Sequence, residues 1–258
     1  MRHNFIDQFS DLNSSIHRLD PRSKLLMTLV FITAVVLTPS ASWLVYCLYF
    51  FTIAFLILLS RVPLLYILKR SLLIIPFVLL VAVFIPFYKE GIVAISFNIG
   101  SWSFTVSHNG LQLFFSILAK SWLSLLSLIL MTSTTSFTRL LKGLERLHIP
   151  QALVMLLSFM YRYSFVLTDE VMRMKQARDS RNFGGKRLLQ LNTAGYMIGT
   201  LFIRSYERGE RIYAAMLSRG FNGNSRTLDR LHFSRLDAYF VTGMLLVLVF
   251  TNLFYYSY

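Results

Sequence analysis

The chain has 258 residues, 55% of them hydrophobic, and a formal net charge of +14. A mean hydropathy of +0.56 excludes an ordinary soluble domain and points to an integral membrane protein with several spans. One cysteine, Cys47, builds neither a disulfide framework nor a cysteine metal site, and inside its apolar run it reads as a small buried side chain.

Residues 1–19 are polar, with no cleavable signal pattern, and read as a solvated tail. Leu19-Asp20-Pro21-Arg22-Ser23-Lys24 is a helix start: Asp20 can cap, and proline suits the first helical position because its missing N–H would have no partner there. No charge appears between Leu25 and Ser60, a stretch too long for one span of ~20 residues. The Thr38-Pro39-Ser40 break divides it into helices expected at 25–38 and 42–60. Arg61, Lys69 and Arg70 lie on a connection with Pro63, and Ser71–Phe87 reads as a third span that Pro76 can kink. Residues 88–110 form a weakly charged loop. Within it Ile92–Val106 alternates enough for a short hairpin or an interfacial segment, and Tyr88 and Trp102 suit a headgroup layer. Leu111–Met131 reads as the fourth span, with Lys120 near its middle. A lysine at that depth either meets another helix or a partner subunit, or snorkels from a span that starts later. The last span is expected at Ala238–Tyr258, with Tyr255, Tyr256 and Tyr258 as an aromatic belt.

The basic residues are distributed unevenly. Four lie in the N-terminal tail, three in the 60–70 connection, and 17 between Thr134 and Arg235, while the 38–42 turn and the C-terminus have none. That alternation fits five spans in a bacterial cytoplasmic membrane, with the N-terminus inside and the C-terminus outside. The expected architecture is all-α and polytopic. A tail and four membrane segments occupy 1–133, a cytoplasmic coupling region of crossed amphipathic helices 134–236, and the last span 237–258.

The coupling region holds three helical patterns. The first runs from about Phe137 to Leu147 behind Ser136 or Thr135 as cap, with Leu140, Leu141, Leu144 and Leu147 on one face. The second, from about Gln151 to Ser180, opens on ten nearly all apolar residues, too few to span, and continues charged, with Asp169 and Arg173 spaced as an ion pair. The third runs from about Asn192 to Ser218. Ile198, Leu201, Phe202, Ile212 and Met216 mark its apolar face, and Arg204, Glu207, Arg208 and Arg211 the opposite one. The small pairs Gly195/Gly199 and Ser205/Gly209 would let it cross the second helix closely. The second and third patterns end alike, in Ser180-Arg181-Asn182 and Ser218-Arg219-Gly220, with Asn182 and Gly220 where a left-handed C-cap belongs. Basic residues commonly end helices because they complement the dipole. Two such endings 38 residues apart suggest more: Arg181 and Arg219 each enter an acidic groove on a partner, where a planar guanidinium fork bonds carboxylates and carbonyls.

Catalytic patterns are missing. Phe183-Gly184-Gly185-Lys186 lacks the P-loop frame, the five histidines have no ligand spacing, and the serines have no His-Asp setting. No enzyme activity and no cofactor are expected, and the energy source belongs to a partner. A basic region of this size also permits binding to RNA or the ribosome, although its charges follow amphipathic helices with interleaved acids rather than an unbroken basic tail.

These residues resemble the transmembrane T component of energy-coupling-factor (ECF) transporters, the EcfT/CbiQ family. The resemblance is carried by Leu19-Asp20-Pro21-Arg22-Ser23-Lys24-Leu25, the Thr134–Pro150 stretch, and Tyr161-Arg162-Tyr163 through Arg178. It continues in the two arginine endings and in Glu207-Arg208…Arg211…Ala215-Met216. It implies a non-catalytic subunit that pairs with two ABC ATPases (CbiO/EcfA-like), a substrate-binding S component (CbiM-like) and a small accessory membrane subunit (CbiN-like), with no nucleic acid. It also implies that Ala-Arg-Gly-like motifs at the tips of crossed coupling helices dock in the ATPases. Here both motifs have serine for alanine, and the first has asparagine for glycine. The Tyr-Arg-Tyr and Glu-Arg-x-x-Arg stretches are most similar to the cobalt-type CbiQ subgroup, which implies cobalt uptake for cobalamin synthesis. Nickel and vitamin systems use similar T components.

Overall fold

The computed structural model describes residues 9–10, 12, 14–85, 93–99, 102–147, 149–181, 187–223 and 233–256. The chain is an all-α polytopic membrane protein with one small hairpin, and it divides into two compact units, residues 4–143 with 231–258, and residues 144–230.

The first unit contains α1 (Pro21–Leu37), α2 (Trp43–Ser60), α3 (Leu64–Ala82), β1 (Val93–Ile99), β2 (Trp102–Ser107), α4 (His108–Thr134), α5 (Phe137–Arg146), whose last residues pass into the second unit, and α8 (Arg235–Tyr256). Asp20 caps α1 by accepting the Arg22 N–H at 3.0 Å, and Pro21 holds the first helical position. The helix therefore starts four residues before the uncharged run and places Lys24 in its first turn. Its 17 residues rise ~26 Å, short of a ~30 Å hydrocarbon core. α3 begins seven residues earlier than expected, because Pro63 precedes it with a preset φ and Lys69 and Arg70 extend from its exposed side. Pro76 stays inside the helix. β1 and β2 pair antiparallel from Ile95 opposite Val106 to Ile99 opposite Trp102, with an irregularity between Val93 and Ile95.

The core of this unit is thin. Phe31 and Val35 of α1, Tyr49 and Ile53 of α2, Ile67 of α3 and Ile129 of α4 are almost fully buried, with Met244 and Leu248 of α8 against them. Phe31 and Tyr49 meet edge to face at 5.4 Å, and the Thr251 hydroxyl of α8 donates to the buried Tyr49 oxygen at 3.2 Å. Leu72, Leu73 and Phe77 of α3 point outward with roughly 70% of their surface exposed, as lipid-facing side chains do. Cys47 is exposed on α2 rather than buried, because the core-facing positions of that helix are Val45, Tyr46, Tyr49 and Ile53.

The second unit contains α6 (Gln151–Arg181) and α7 (Arg187–Leu217), each of 31 residues. α7 starts five residues earlier than its sequence pattern suggests.

Among the described residues four helices are long and apolar enough to cross a membrane by length and composition: α2, α3, α4 and α6. The first three reach mean hydropathies of 2.2, 2.2 and 1.9, whereas α6 reaches 1.2. Its apolar opening, expected to be too short to span, therefore qualifies by this measure, but its second half carries Asp169, Glu170, Arg173 and Lys175 and does not suit hydrocarbon. The side chains of Tyr88, Trp102, Tyr255, Tyr256 and Tyr258 lie outside the described residues.

Candidate functional site

The two arginine tips share one local feature, a preceding serine whose hydroxyl bonds back to its own helix. α7 ends in a left-handed glycine cap: Gly220 has φ +76°, its N–H donates to Leu217 O at 2.9 Å, and the Phe221 N–H reaches Met216 O at 3.1 Å. That pair of bonds is the Schellman closure, which needs a residue without a Cβ at the left-handed position. It places Arg219 at the helix end with its side chain exposed. The Ser218 hydroxyl donates to Ala214 O at 2.9 Å. At the end of α6 the Ser180 hydroxyl does the same to Gln176 O, also at 2.9 Å. Both serines fold their oxygen back onto the helix, so neither adds a free polar group beside its arginine. Arg181 is the last residue of α6 and is exposed, while Arg178 one turn before it is engaged by Asp179 at 2.7 Å. Asn182 lies outside the described residues.

α6 and α7 meet through a charged clasp. The Glu170 carboxylate, 8% exposed as a residue, accepts from Arg204 Nη1 at 3.1 Å on one oxygen and from Arg208 Nη2 at 3.0 Å on the other. One helical turn separates the two arginines, so they bracket a single carboxylate from the facing helix. The Arg204 hydrogen bond and the charge of both guanidiniums hold the Glu170 carboxyl below its usual range. Sequence periodicity places Arg204 and Arg208 on the solvent face with Glu207 and Arg211. The structure turns the first two toward α6 and leaves Glu207–Arg211 as an exposed pair at 3.9 Å. At the small residues expected to allow a close crossing there is room to spare: a methyl group at Gly195, Gly199 or Gly209 would find nothing within 4 Å. Ser205 and Gly209 instead line a groove of about 390 Å³, walled by Phe159, Met160, Tyr163 and Ile212. Farther along α7, Leu191, Ile198 and Phe202 are about 70% exposed and fall on one side of the helix, an uncovered apolar face.

In the first unit, buried polar groups join four helix ends. Lys24 Nζ donates to Thr134 O at 2.9 Å, on the last residue of α4, and to Thr135 Oγ1 at 3.1 Å, at the entrance to α5. Asp237, 1% exposed, accepts the Asp20 N–H at 2.6 Å on one oxygen, and the Ser234 N–H at 2.7 Å and hydroxyl at 2.8 Å on the other. Ser234 and Asp237 thus form a capping box for α8, and the same aspartate ties α8 to the start of α1. Gly143 of α5 lies against Pro21, where an added Cβ would come within 3.3 Å. At the other end of α1, Lys120 Nζ donates to Val36 O at 2.8 Å. Each lysine therefore satisfies a terminal carbonyl of the antiparallel neighbour: Lys24 serves the end of α4, and Lys120 the end of α1. This explains how a cation is accommodated in the middle of α4, beside a helix that stops short.

Glu170 and Asp237 do not emerge from the motif search. Ser234-Arg235-Leu236-Asp237 ahead of an apolar run is a legible cap signal, whereas the partner of Glu170 lies 34 and 38 residues away, with nothing local to mark it.

The family model described as cobalt transport protein, CbiQ, matches residues 12–228. An uncharacterised protein of Methanocaldococcus jannaschii is 26% identical over 97% of this chain and 86% of its own length. The energy-coupling factor transporter transmembrane protein EcfT of Listeria innocua is 30% identical over 85% of both chains. A Methanocorpusculum labreanum protein described as a fused cobalt transport protein CbiMQ is 32% identical over 49% of this chain and 21% of its own. The match to the family model covers the two arginine tips, the Glu170 clasp and the buried node at Asp20 and Lys24, and with it the chain belongs to the CbiQ family of ECF-type membrane transport proteins.

Proposed function

We propose that this chain is the transmembrane coupling subunit of an ECF-type importer, passing ATP-driven motion of two partner ATPases to a substrate-binding S component. The observation that carries the proposal is the pair of long helices, α6 and α7, each ending in an exposed arginine behind a serine whose hydroxyl is returned to its own helix. Such a tip offers a bare guanidinium fork on a rigid rod. That is what a carboxylate- or carbonyl-lined groove on a moving partner can grip and displace. The Glu170 clasp makes the two rods one lever at their contact, so displacement at either tip reaches both. Ser180, Arg181, Asn182, Ser218, Arg219 and Gly220 are the proposed docking residues. The uncovered apolar face of α7 is the proposed seat of the membrane partner.

The proposed topology follows the basic residues: tail, tips and Arg61 in the cytoplasm of a cell whose inner membrane holds the spans, and the C-terminus outside. The chain itself is proposed to be non-catalytic. The proposed cargo is cobalt ion, from the cobalt description of the family model and from the relative whose name joins CbiM and CbiQ. Nickel is its competitor. The test is reconstitution with the co-produced ATPases and S component in liposomes. ATP-dependent uptake of labelled cobalt that Arg181→Glu/Arg219→Glu abolishes supports the coupling role, and uptake unchanged by the double substitution refutes it. Labelled nickel, run in parallel, decides the cargo.

A further inference from the structure

A recess of about 470 Å³ lies in the first unit where α2 ends and α8 begins, lined by Ser15, Arg18, Leu58, Leu59, Arg61 and Leu236. Its composition is unusual for a gap between spans. Two arginines line it, three leucines form its apolar side, all three at least 41% exposed, and among the described residues no acidic side chain lines it. Among the described residues neither Arg18 nor Arg61 has an ion pair or a side-chain hydrogen bond, in contrast to Arg70 nearby, which donates to the Tyr66 hydroxyl at 2.7 Å.

The backbone adds a second observation. Arg61 closes α2 in the left-handed conformation, φ +57° and ψ +17°, and among the described residues it is the only non-glycine with positive φ. That cap position favours glycine or asparagine, since a Cβ there is strained. Strained non-glycine positions of this kind gather at binding sites. The neighbouring Ser14-to-His17 turn adds no positive charge. Ser14 Oγ and His17 Nδ1 are 2.7 Å apart, His17 Nε2 lies 2.9 Å from Phe9 O, and burial holds the imidazole below its usual range and so neutral.

We propose that this recess binds the headgroup of an anionic phospholipid. Arg18 and Arg61 would take the phosphate, Ser15 a glycerol or headgroup oxygen, and Leu58, Leu59 and Leu236 the upper acyl chains. The position fits, because α2 changes from an uncharged span to Arg61 at this point and the leucines belong to the lipid-facing side. Basic pockets between spans at a membrane face select acidic lipids by this combination. A water-borne phosphate would share the guanidiniums but gain nothing from the leucines. The proposal rests on α2 and α8 lying in a bilayer, not on the coupling role.

The test is native mass spectrometry of the full chain released from detergent, titrated with dioleoylphosphatidylglycerol or dioleoylphosphatidylcholine. The wild type is expected to hold one phosphatidylglycerol at concentrations where phosphatidylcholine does not bind. Arg18→Gln/Arg61→Gln is expected to weaken that first lipid roughly tenfold or more. Lys69→Gln/Arg70→Gln, the same charge loss outside the recess, should leave it within about twofold, since charges that do not touch the lipid act only through screened attraction. Should the first pair fail to fold, Arg18→Gln alone removes one exposed side chain and is expected to weaken binding roughly fivefold. Equal losses from both pairs would overturn the proposal in favour of diffuse attraction. So would phosphatidylcholine binding as tightly, or displacement of the lipid by millimolar inorganic phosphate, which would make the site one for a soluble anion.

Discussion

The clasp between Glu170 and the Arg204/Arg208 pair makes the sharpest quantitative prediction. Replacing Glu170 with alanine removes two charge-assisted bonds of 3.1 and 3.0 Å. A fully buried bond of this kind contributes about 1.5–3 kcal/mol and an exposed ion pair about 0.2–1 kcal/mol. The carboxylate is 10% exposed, but the arginines are 55% and 31% exposed, so solvent screening places each bond in the lower range. Loss of both is expected to cost about 1–2 kcal/mol. A double-mutant cycle of Glu170→Ala with Arg208→Ala should return a coupling energy of about 0.5–1 kcal/mol, with the same sign and size for Arg204→Ala. The assay is denaturant unfolding of the detergent-solubilised chain, read by a label pair on α6 and α7. The sign with pH is fixed as well. The folded carboxyl titrates below its ordinary value of 4.5, so the contribution is fully present above that pH and is lost as pH falls through the lower folded value. A coupling energy under ~0.3 kcal/mol, the noise of independent sites, or a coupling that grows on acidification, would refute the clasp.

Three further outcomes follow from the same geometry. Asp237→Ala leaves the buried Asp20 N–H without its acceptor and removes the cap of α8, so thermal unfolding in detergent should show a loss of about 2–4 kcal/mol, with Asp237→Asn milder. Gly220→Ala puts a Cβ at φ +76° and should cost about 1 kcal/mol, read as fraying of the α7 end by hydrogen exchange; an unchanged exchange rate at Phe221 would contradict the cap. Gly199→Ala meets nothing within 4 Å and should stabilise α7 by up to about 1 kcal/mol, whereas a destabilised variant would restore the close crossing suggested by the small-residue spacing.

Most of the helical architecture is legible in the sequence because its signals are local. Asp20-Pro21 marks a helix start, Thr38-Pro39-Ser40 a break, and Ser218-Arg219-Gly220 an end, and each acts within a turn of where it is written. The errors are of two kinds. Boundaries slip where charged residues open a helix, as Lys69 and Arg70 do in α3, since long side chains reach water from inside a span. Pairings slip where the partner is distant. Arg204 has Glu207 three residues on along its own helix and Arg208 falls on the same charged side, so periodicity alone assigns both to solvent, and the carboxylate that holds them comes from α6. The paired glycines show the converse: small-residue spacing permits a close crossing but does not require one, and an added Cβ at Gly195 or Gly199 would have nothing within 4 Å. Lys120 lies between the two cases. Its oddity is visible in an apolar run, but its acceptor, Val36 O, exists only because α1 stops at Leu37 and leaves terminal carbonyls without partners.

The central claim is that Arg181 and Arg219 are the points at which ATPase motion enters the chain. The most direct measurement is co-purification from detergent of everything bound to the tagged chain, wild type beside Arg181→Glu/Arg219→Glu, with the bound proteins identified by mass spectrometry. The expected result is that two ABC ATPase subunits come with the wild type and are lost from the double variant, while the membrane partners stay. ATPases retained at wild-type levels, or a wild-type pull-down of ribosomal proteins in place of ATPases, would contradict the claim.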